Sequence, residues 1–368
     1  MTIVHVVEPF ATGINTFLQE LVFSMPDCIH VIVHGERKDC REIGKIKSEY
    51  NNKAVFVKWP FVKREIDLIQ DLRALYELKK ILKTYSYDIL HLHSSKAGVL
   101  GKLVGHNSLC KTVVYTPNAA SFLRTDISKQ KRRLYKWIEK VIHSKNTVVV
   151  SSCNSELEEY DKLRIKTIKI ENGVTISPRE RVLVKKEGSF NIVFCGKITV
   201  QKDPVLFNLI ASYFKDDSKI TFTWIGDGEL KDTLSSENIN ITGWCSKDEV
   251  YEILQTADLY LSTSSWEGLS LATIEALSFG LPLVLNECSG NQDIVRVGVN
   301  GYLFKTKEKA IDYIEYLRNN KERLIKISEN STKIYKTYYN NYRCGLEYEQ
   351  LYIALKRVGI RKRRRIRK

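Results

Sequence analysis

In the stretch TSSWEGLSLATIEALSFG, residues 263–280, two glutamates stand eight positions apart, Glu267 and Glu275. The preceding DLYLS, Asp258–Ser262, reads as a buried strand. Glu267 then falls in a loop, and Glu275 in a helix that starts near Leu271 with Ser270 as its N-cap. A helix N-terminus attracts anions. Ionised carboxylates only accept hydrogen bonds, which suits hydroxyls and not phosphates. The combination fits a ligand that carries both: phosphate on the backbone N–H groups of Leu271 and Ala272, hydroxyls on the carboxylates. A sugar nucleotide has that composition. The plainer alternative is a solvated loop glutamate and a surface helix glutamate. The nearly apolar ATIEALSFGLPLVL around Glu275 argues for burial, and a buried carboxylate needs partners.

A second constellation is CGKITVQKDP, where Gly196 ends a strand and Lys197 and Lys202 follow it. Two ammonium groups there could hold a diphosphate, balance the two glutamates, or be ordinary surface lysines. WIGDGELKDTL places Gly226 and Gly228 at a strand-to-helix turn but falls short of a full dinucleotide fingerprint, so a tight turn is the simpler reading. Trp244 at the next strand end could face a nucleobase or pack between domains. Gly13 in PFATGINTF allows close approach of a phosphate or a plain turn. In HLHSSKAG, His91 and His93 alternate onto one strand face. Metal binding would need further ligands and none is evident nearby, so a cleft-lining His93 and a packed His91 are expected. The chain lacks a D-x-D pair, so lysines and helix dipoles would hold a diphosphate without metal.

The elements that must position these residues alternate. Strands are expected at Ile3–Val7, His30–His34, Asp88–His93, Thr112–Pro117 and Thr147–Ser152, with helices at Ile14–Phe23, at Asp71–Lys83 and from Ala97. A second series runs through Asn191–Gly196, Ile220–Gly226, Ile239–Gly243, Asp258–Ser262 and Leu281–Leu285. The polar segment between them, rich in turn residues, reads as a linker. The expected architecture is α/β: two doubly wound, Rossmann-like domains with a cleft between them. The divisions are 1–172, a linker at 173–189, 190–345, and 346–368 as a helix with a basic tail, a helix that can cross back to the first domain.

Bulk composition narrows the class. The 368 residues, 43% hydrophobic and 27% charged, exclude a disordered chain. A net charge of +15 favours polyanions: nucleic acid, anionic lipid or phosphorylated small molecules. The eight cysteines are scattered without a C-x-x-C pair, which reads as reduced thiols and not as a disulfide or zinc framework. The N-terminal MTIVHVVEP reads as a strand and not as a signal peptide. No apolar run approaches the roughly 18–20 residues of a spanning helix, so a soluble or surface-bound chain is expected.

Taken in order, the pieces resemble a retaining glycosyltransferase of family 4, with the two-domain GT-B fold. The matching stretches are ATG at Ala11–Gly13, HLHSSKAG at His91–Gly98, YTPN at Tyr115–Asn118, NGV at Asn172–Val174, CGKITVQKD at Cys195–Asp203, GDGEL at Gly226–Leu230, and the Glu267–Glu275 spacing. The resemblance implies that Lys197 and Lys202 hold the donor diphosphate, Glu267 the sugar hydroxyls and Glu275 the ribose. Backbone groups of Gly268, Leu269, Ser270, Leu271 and Ala272 would hold the sugar and distal phosphate. Gly13 would approach the diphosphate from the other domain, and His93, Ser95 and Lys96 would line the acceptor side. The family often has His where this chain has Asn118, Arg where it has Lys197, and a second glycine where it has Ser270. The implied chemistry is metal-independent and cofactor-free: the leaving phosphate accepts the acceptor's proton while the protein positions and neutralises.

Ser128–Lys145 is amphipathic, with Leu134, Trp137, Ile138, Val141 and Ile142 in one stripe and basic residues crowding the rest. The stripe is expected to pack on the sheet. The basic side and the RKRRRIRK tail, Arg361–Lys368, are expected to meet an anionic membrane surface. The resulting expectation is a bacterial enzyme on the cytoplasmic face of the inner membrane. It moves a hexose or N-acetylhexosamine from a nucleotide sugar, UDP ahead of GDP, to a polyprenyl-diphosphate-linked glycan in O-antigen or capsule assembly. The rival readings are a sugar-nucleotide epimerase of the same fold and a basic nucleic-acid-binding protein. No nucleic-acid-binding signature supports the latter, and no nucleic-acid partner is expected.

Overall fold

The computed structural model describes every residue except 9, 11, 37–42, 64–65, 107–111, 177–187 and 367–368; for 12 and 359–366 it describes the backbone alone. Ala11, most of the expected linker and the side chains of the basic tail therefore lie outside the described residues. The chain divides into two compact units. Unit 1 is residues 1–123, 127–173 and 341–368; unit 2 is 124–126 and 174–340.

Unit 1 carries strands β1 (Thr2–Val7), β2 (Ile29–His34), β3 (Ala54–Lys58), β4 (Ile89–His93), β5 (Thr112–Thr116), β6 (Thr147–Ser151) and β7 (Thr167–Lys169). They form one parallel sheet in the order β3-β2-β1-β4-β5-β6-β7. Helices α1 (Thr12–Ser24), α2 (Ile43–Ser48), α3 (Leu68–Thr84), α4 (Ser95–His106), α5 (Lys129–Ile142) and α6 (Asn154–Lys162) link them. Unit 2 has β8 (Phe190–Cys195), β9 (Ile220–Ile225), β10 (Ile239–Ile241), β11 (Leu259–Ser262), β12 (Leu283–Asn286) and β13 (Gly301–Phe304), in the order β10-β9-β8-β11-β12-β13. Its helices are α7 (Pro204–Tyr213), α8 (Lys247–Thr256), α9 (Leu271–Ser278), α10 (Asn291–Ile294), α11 (Lys307–Asn319) and α12 (Lys321–Ile334). Helix α13 (Asn341–Ile366) belongs to unit 1. The doubly wound expectation holds in both units.

Strands β1, β4, β8 and β11 are almost wholly buried because helices cover both sheet faces, which is why they read as continuous apolar runs. Strands β3, β7 and β13 escaped the sequence reading. The first two are short and half-exposed at the sheet edge, so they lack that signature.

Helix α5 departs from expectation. Leu134, Trp137 and Val141 are 48%, 60% and 60% exposed, so this part of the apolar stripe does not pack on the sheet. Inward, Tyr135 packs against the core cluster and a polar contact joins it. Glu139 is buried and accepts from the Lys102 ammonium at 2.7 Å and from the Tyr115 hydroxyl at 2.8 Å. The same ammonium lies 3.8 Å above the Tyr115 ring. This pairing fixes the rotation of α5 against α4 and β5, which periodicity alone cannot foresee. Glu139→Ala would leave the Lys102 charge buried without its partner, a loss of about 3–5 kcal/mol. Urea unfolding should show it; a change below about 1 kcal/mol would mean that the pair contributes little.

The six cysteines placed by the structure, Cys28, Cys153, Cys195, Cys245, Cys288 and Cys344, are all free. Among the described residues no helix is long and apolar enough to cross a membrane.

Candidate active site

In a doubly wound sheet, ligands bind beyond the carboxyl ends of the strands where the order reverses. In unit 2 those strands are β8 and β11. Gly196–Lys202 follows β8 and Thr263–Ser270 follows β11, so the two sequence constellations meet at the switch point.

The loops are stitched together. Ser265 N–H donates to the Gln201 carbonyl at 2.8 Å, and the Thr263 hydroxyl lies within 2.7 Å of the Lys202 carbonyl and 3.0 Å of that of Asp203. The Lys202 ammonium donates to one oxygen of Glu267, and the Gln201 amide donates to the other at 3.3 Å. Lys202 therefore does balance a glutamate. Lys197 turns to a different acid, Glu229, at 3.6 Å.

Glu267 and Glu275 are 6% and 9% exposed, which rules out the solvated reading of both. Their fields reach neighbouring thiols. Burial, and then Glu275, pushes the Cys195 thiol up to about 12; burial, and then Glu267, does the same to Cys288. Helix α9 starts at Leu271, and the Ser270 hydroxyl caps it by accepting from Thr273 N–H at 3.4 Å. Leu271 and Ala272 form its first turn, and Glu275 lies just over one turn in.

The glycines act through close approach. At Gly226, with φ +142°, a Cβ would lie 2.3 Å from the Gly196 carbonyl oxygen, so the β9 turn passes directly against the β8 loop. This supports the tight-turn reading. Gly290, with φ +81°, went unnoticed in the sequence. A Cβ there would fall 1.8 Å from the Gly268 carbonyl oxygen. Ser289 beside it accepts from Glu267 N–H at 3.2 Å, so the loop after β12 backs Glu267 and Gly268. The signal was a glycine at another strand-to-helix turn. Leu269 is buried, while Trp244 is 42% exposed.

In unit 1 the order reverses between β1 and β4. Gly13 is the second residue of α1, not a turn residue, and nothing lies within 4 Å of where its Cβ would be. Ser95 and Lys96 open α4 after β4. Lys96 is held by Asp71 of α3 at 2.5 Å, and the Ser95 hydroxyl accepts from Ser121 Oγ at 2.7 Å. Asn118 follows β5 in a left-handed conformation, φ 53°.

His93 is not a cleft-lining residue: it is fully buried. Its Nε2 lies 3.1 Å from His5 Nδ1, His5 Nε2 lies 3.1 Å from His30 Nδ1, and His30 Nε2 lies 3.1 Å from the Met25 carbonyl. A carbonyl only accepts, which sets every tautomer in turn. His30 carries its proton on Nε2, His5 on Nε2 and His93 on Nε2. Among the described residues His93 Nδ1 has no hydrogen-bond partner. Burial depresses all of them, His93 to about 3. The sequence reading found no third metal-type ligand near His91 and His93; the structure supplies His5, with ligand atoms of the three within 4.8 Å of one another. Their nitrogens are largely committed elsewhere. His5 uses both in the chain, and His91 uses both on the Tyr352 hydroxyl at 2.6 Å and Thr116 Oγ1 at 2.8 Å.

Residues 11–177 match the family model Glycosyltransferase Family 4, and residues 177–334 match Glycosyl transferases group 1. An Escherichia coli UDP-Gal:alpha-D-GlcNAc-diphosphoundecaprenol alpha-1,3-galactosyltransferase is 30% identical over 73% of this chain and 76% of its own length. The chain belongs to this glycosyltransferase family. The E. coli O-antigen biosynthesis glycosyltransferase WbnH is 26% identical over 76% of this chain and 82% of that protein. Sucrose-phosphate synthase of Thermosynechococcus elongatus aligns with a TM-score of 0.79 at 14% identity, covering 96% of this chain and 99% of that one; this likeness concerns the fold. The glycosyltransferase is thus built from two Rossmann-like units of the GT-B class. Of the rival readings, family membership favours transfer over epimerisation.

Proposed function

We propose that this glycosyltransferase is a retaining enzyme that moves a hexose or N-acetylhexosamine from a UDP sugar to a lipid-diphosphate-linked glycan in surface polysaccharide assembly. The carrying observation is the part-buried Lys202–Glu267 pair at the β8/β11 switch point, with the buried Glu275 in the adjoining helix. Lys202 and Lys197 neutralise the departing diphosphate, helped by the N-terminal turn of α9. Glu267 takes sugar hydroxyls and Glu275 the ribose. Asn118 hydrogen-bonds near the transferred sugar. The departing phosphate accepts the acceptor's proton on the same face, so no protein nucleophile and no metal enter. Catalysis is then positioning and charge stabilisation.

The relative named above acts with UDP-Gal on a GlcNAc-diphospholipid, which supports UDP-galactose and that acceptor class as the first pair to try. Thermal-shift screening of UDP and GDP sugars, followed by transfer to a GlcNAc-diphospholipid with product anomericity read by NMR, tests the reading. Transfer that needs a divalent metal, an inverted linkage, or stabilisation by GDP sugars alone would sink it.

We place the enzyme at the cytoplasmic membrane surface. Support comes from α5, where exposed Leu134, Trp137 and Val141 lie among Lys131, Arg132, Arg133 and Lys140. Changing Trp137 and Val141 to glutamate should lower co-sedimentation with phosphatidylglycerol vesicles more than about tenfold. Unchanged binding would move the contact elsewhere.

A further inference from the structure

We propose that Glu156 is a positioning residue for transfer: its carboxylate locks the turn after β5 that presents Asn118. This rests on the reading that Asn118 faces the transferred sugar.

Asn118 and Ala119 are consecutive non-glycine residues at φ 53° and 72°. Side chains with a Cβ rarely hold that conformation twice in succession, and it persists only where the surroundings enforce it. Such a turn aims successive backbone N–H groups into one concavity that favours an anion. Here the Glu156 side chain fills that concavity. The Glu156 side chain, fully buried, accepts from Ala120 N–H at 2.9 Å, and Ala119 N–H turns toward the same carboxylate. Its other oxygen accepts from Ser152 N–H at 3.2 Å, which ties the Asn118 turn to the end of β6. Glu156 sits in the first turn of α6, where the helix dipole also favours negative charge. No cation appears among the groups that act on it. Burial outweighs the N–H donors and the Glu139 charge adds to it, so the Glu156 carboxyl is pushed up to about 7.

Two arms test the lock. Hydrogen exchange at residues 118–120 should accelerate in Glu156→Ala, and less in Glu156→Gln, whose amide keeps one acceptor. In transfer assays with UDP-galactose, both variants should lower kcat about tenfold to a hundredfold, with Gln milder than Ala. Donor KM should stay within about twofold, because unit 2 holds the donor. Should Glu156→Ala not fold, Glu156→Gln carries both arms. Adding Asn118→Ala to Glu156→Gln should cost little more than Asn118→Ala alone. Unchanged exchange at 118–120 overturns the lock itself. Loosened exchange with wild-type kcat in Asn118→Ala overturns the proposal through the role of Asn118, and the two failures are distinguishable. Fully multiplying effects in the double variant also overturn it.

Discussion

Lys202→Ala is expected to lower kcat/KM for sugar transfer about a thousandfold, since one well-aimed charge on a departing oxyanion is removed. The same change leaves Glu267, 6% exposed, without its ammonium. An unpaired carboxylate at that depth is destabilising by about 3–5 kcal/mol when burial is complete, and somewhat less here. The two losses can be separated. Glu267→Gln removes the stranded charge, so the Lys202→Ala, Glu267→Gln double variant should regain most of the stability and none of the activity. Glu275→Ala should also abolish transfer, with its unfolding midpoint held nearer the wild type, through loss of the ribose contact. Steady-state kinetics beside urea unfolding decides. Wild-type-like turnover in Lys202→Ala or in Glu275→Ala would end the assignment of this switch point as the donor site.

Mild acid should destabilise the protein through its buried histidines. His5, His91 and His93 are fully buried and depressed by burial, His93 to about 3. The ordinary histidine value is 6.5. The unfolded chain thus binds protons that the folded chain refuses, and stability is complete above pH 6.5 and lost as pH falls toward the folded values. Between pH 7.5 and 5.5 each of the three contributes at most about 1.4 kcal/mol of loss, so at most about 4 together. His30, and His34 at about 4, act in the same direction. Glu156, raised to about 7 when folded, opposes by about 2 kcal/mol because the folded chain takes up its proton first. Against about 4 kcal/mol lost from the three histidines, Glu156 leaves a net loss of about 2 kcal/mol, to which His30 and His34 add, and this weighs against the 5–15 kcal/mol typical of domains. Unfolding free energies measured across this range should fall steeply, and the slope should shrink in His93→Gln. A flat profile would show that the imidazoles are not held neutral.

Much of this was legible because buried parallel strands announce themselves. VHVV, ILHLH, NIVFC and LYLS are largely apolar because helices cover both faces, and each ends at a loop that holds one of the candidate site stretches. The Ser270 cap and the helix from Leu271 followed from local rules that tertiary packing did not override. What escaped depends on contacts distant in the chain. His5 and His93 are 88 residues apart, and only strand order places them together. The outward stripe of α5 is set by Glu139 meeting Lys102 and Tyr115, which no helical period encodes. Gly290 serves residues 22 positions earlier through a carbonyl contact that spacing cannot reveal.

The return of α13 to the first sheet bears on the order of events during synthesis. Tyr352, which hydrogen-bonds His91, lies 261 residues after it, and Tyr348 meets Thr116 across 232. Ribosomes add about 5–20 residues per second, so these partners emerge roughly 12–50 seconds after the strands they cover. Throughout that interval His91 lacks the Tyr352 hydroxyl, and Thr116 the Tyr348 hydroxyl, that each meets in the folded chain. The first sheet thus gains its last hydrogen-bond partners only after the whole second sheet has been synthesised.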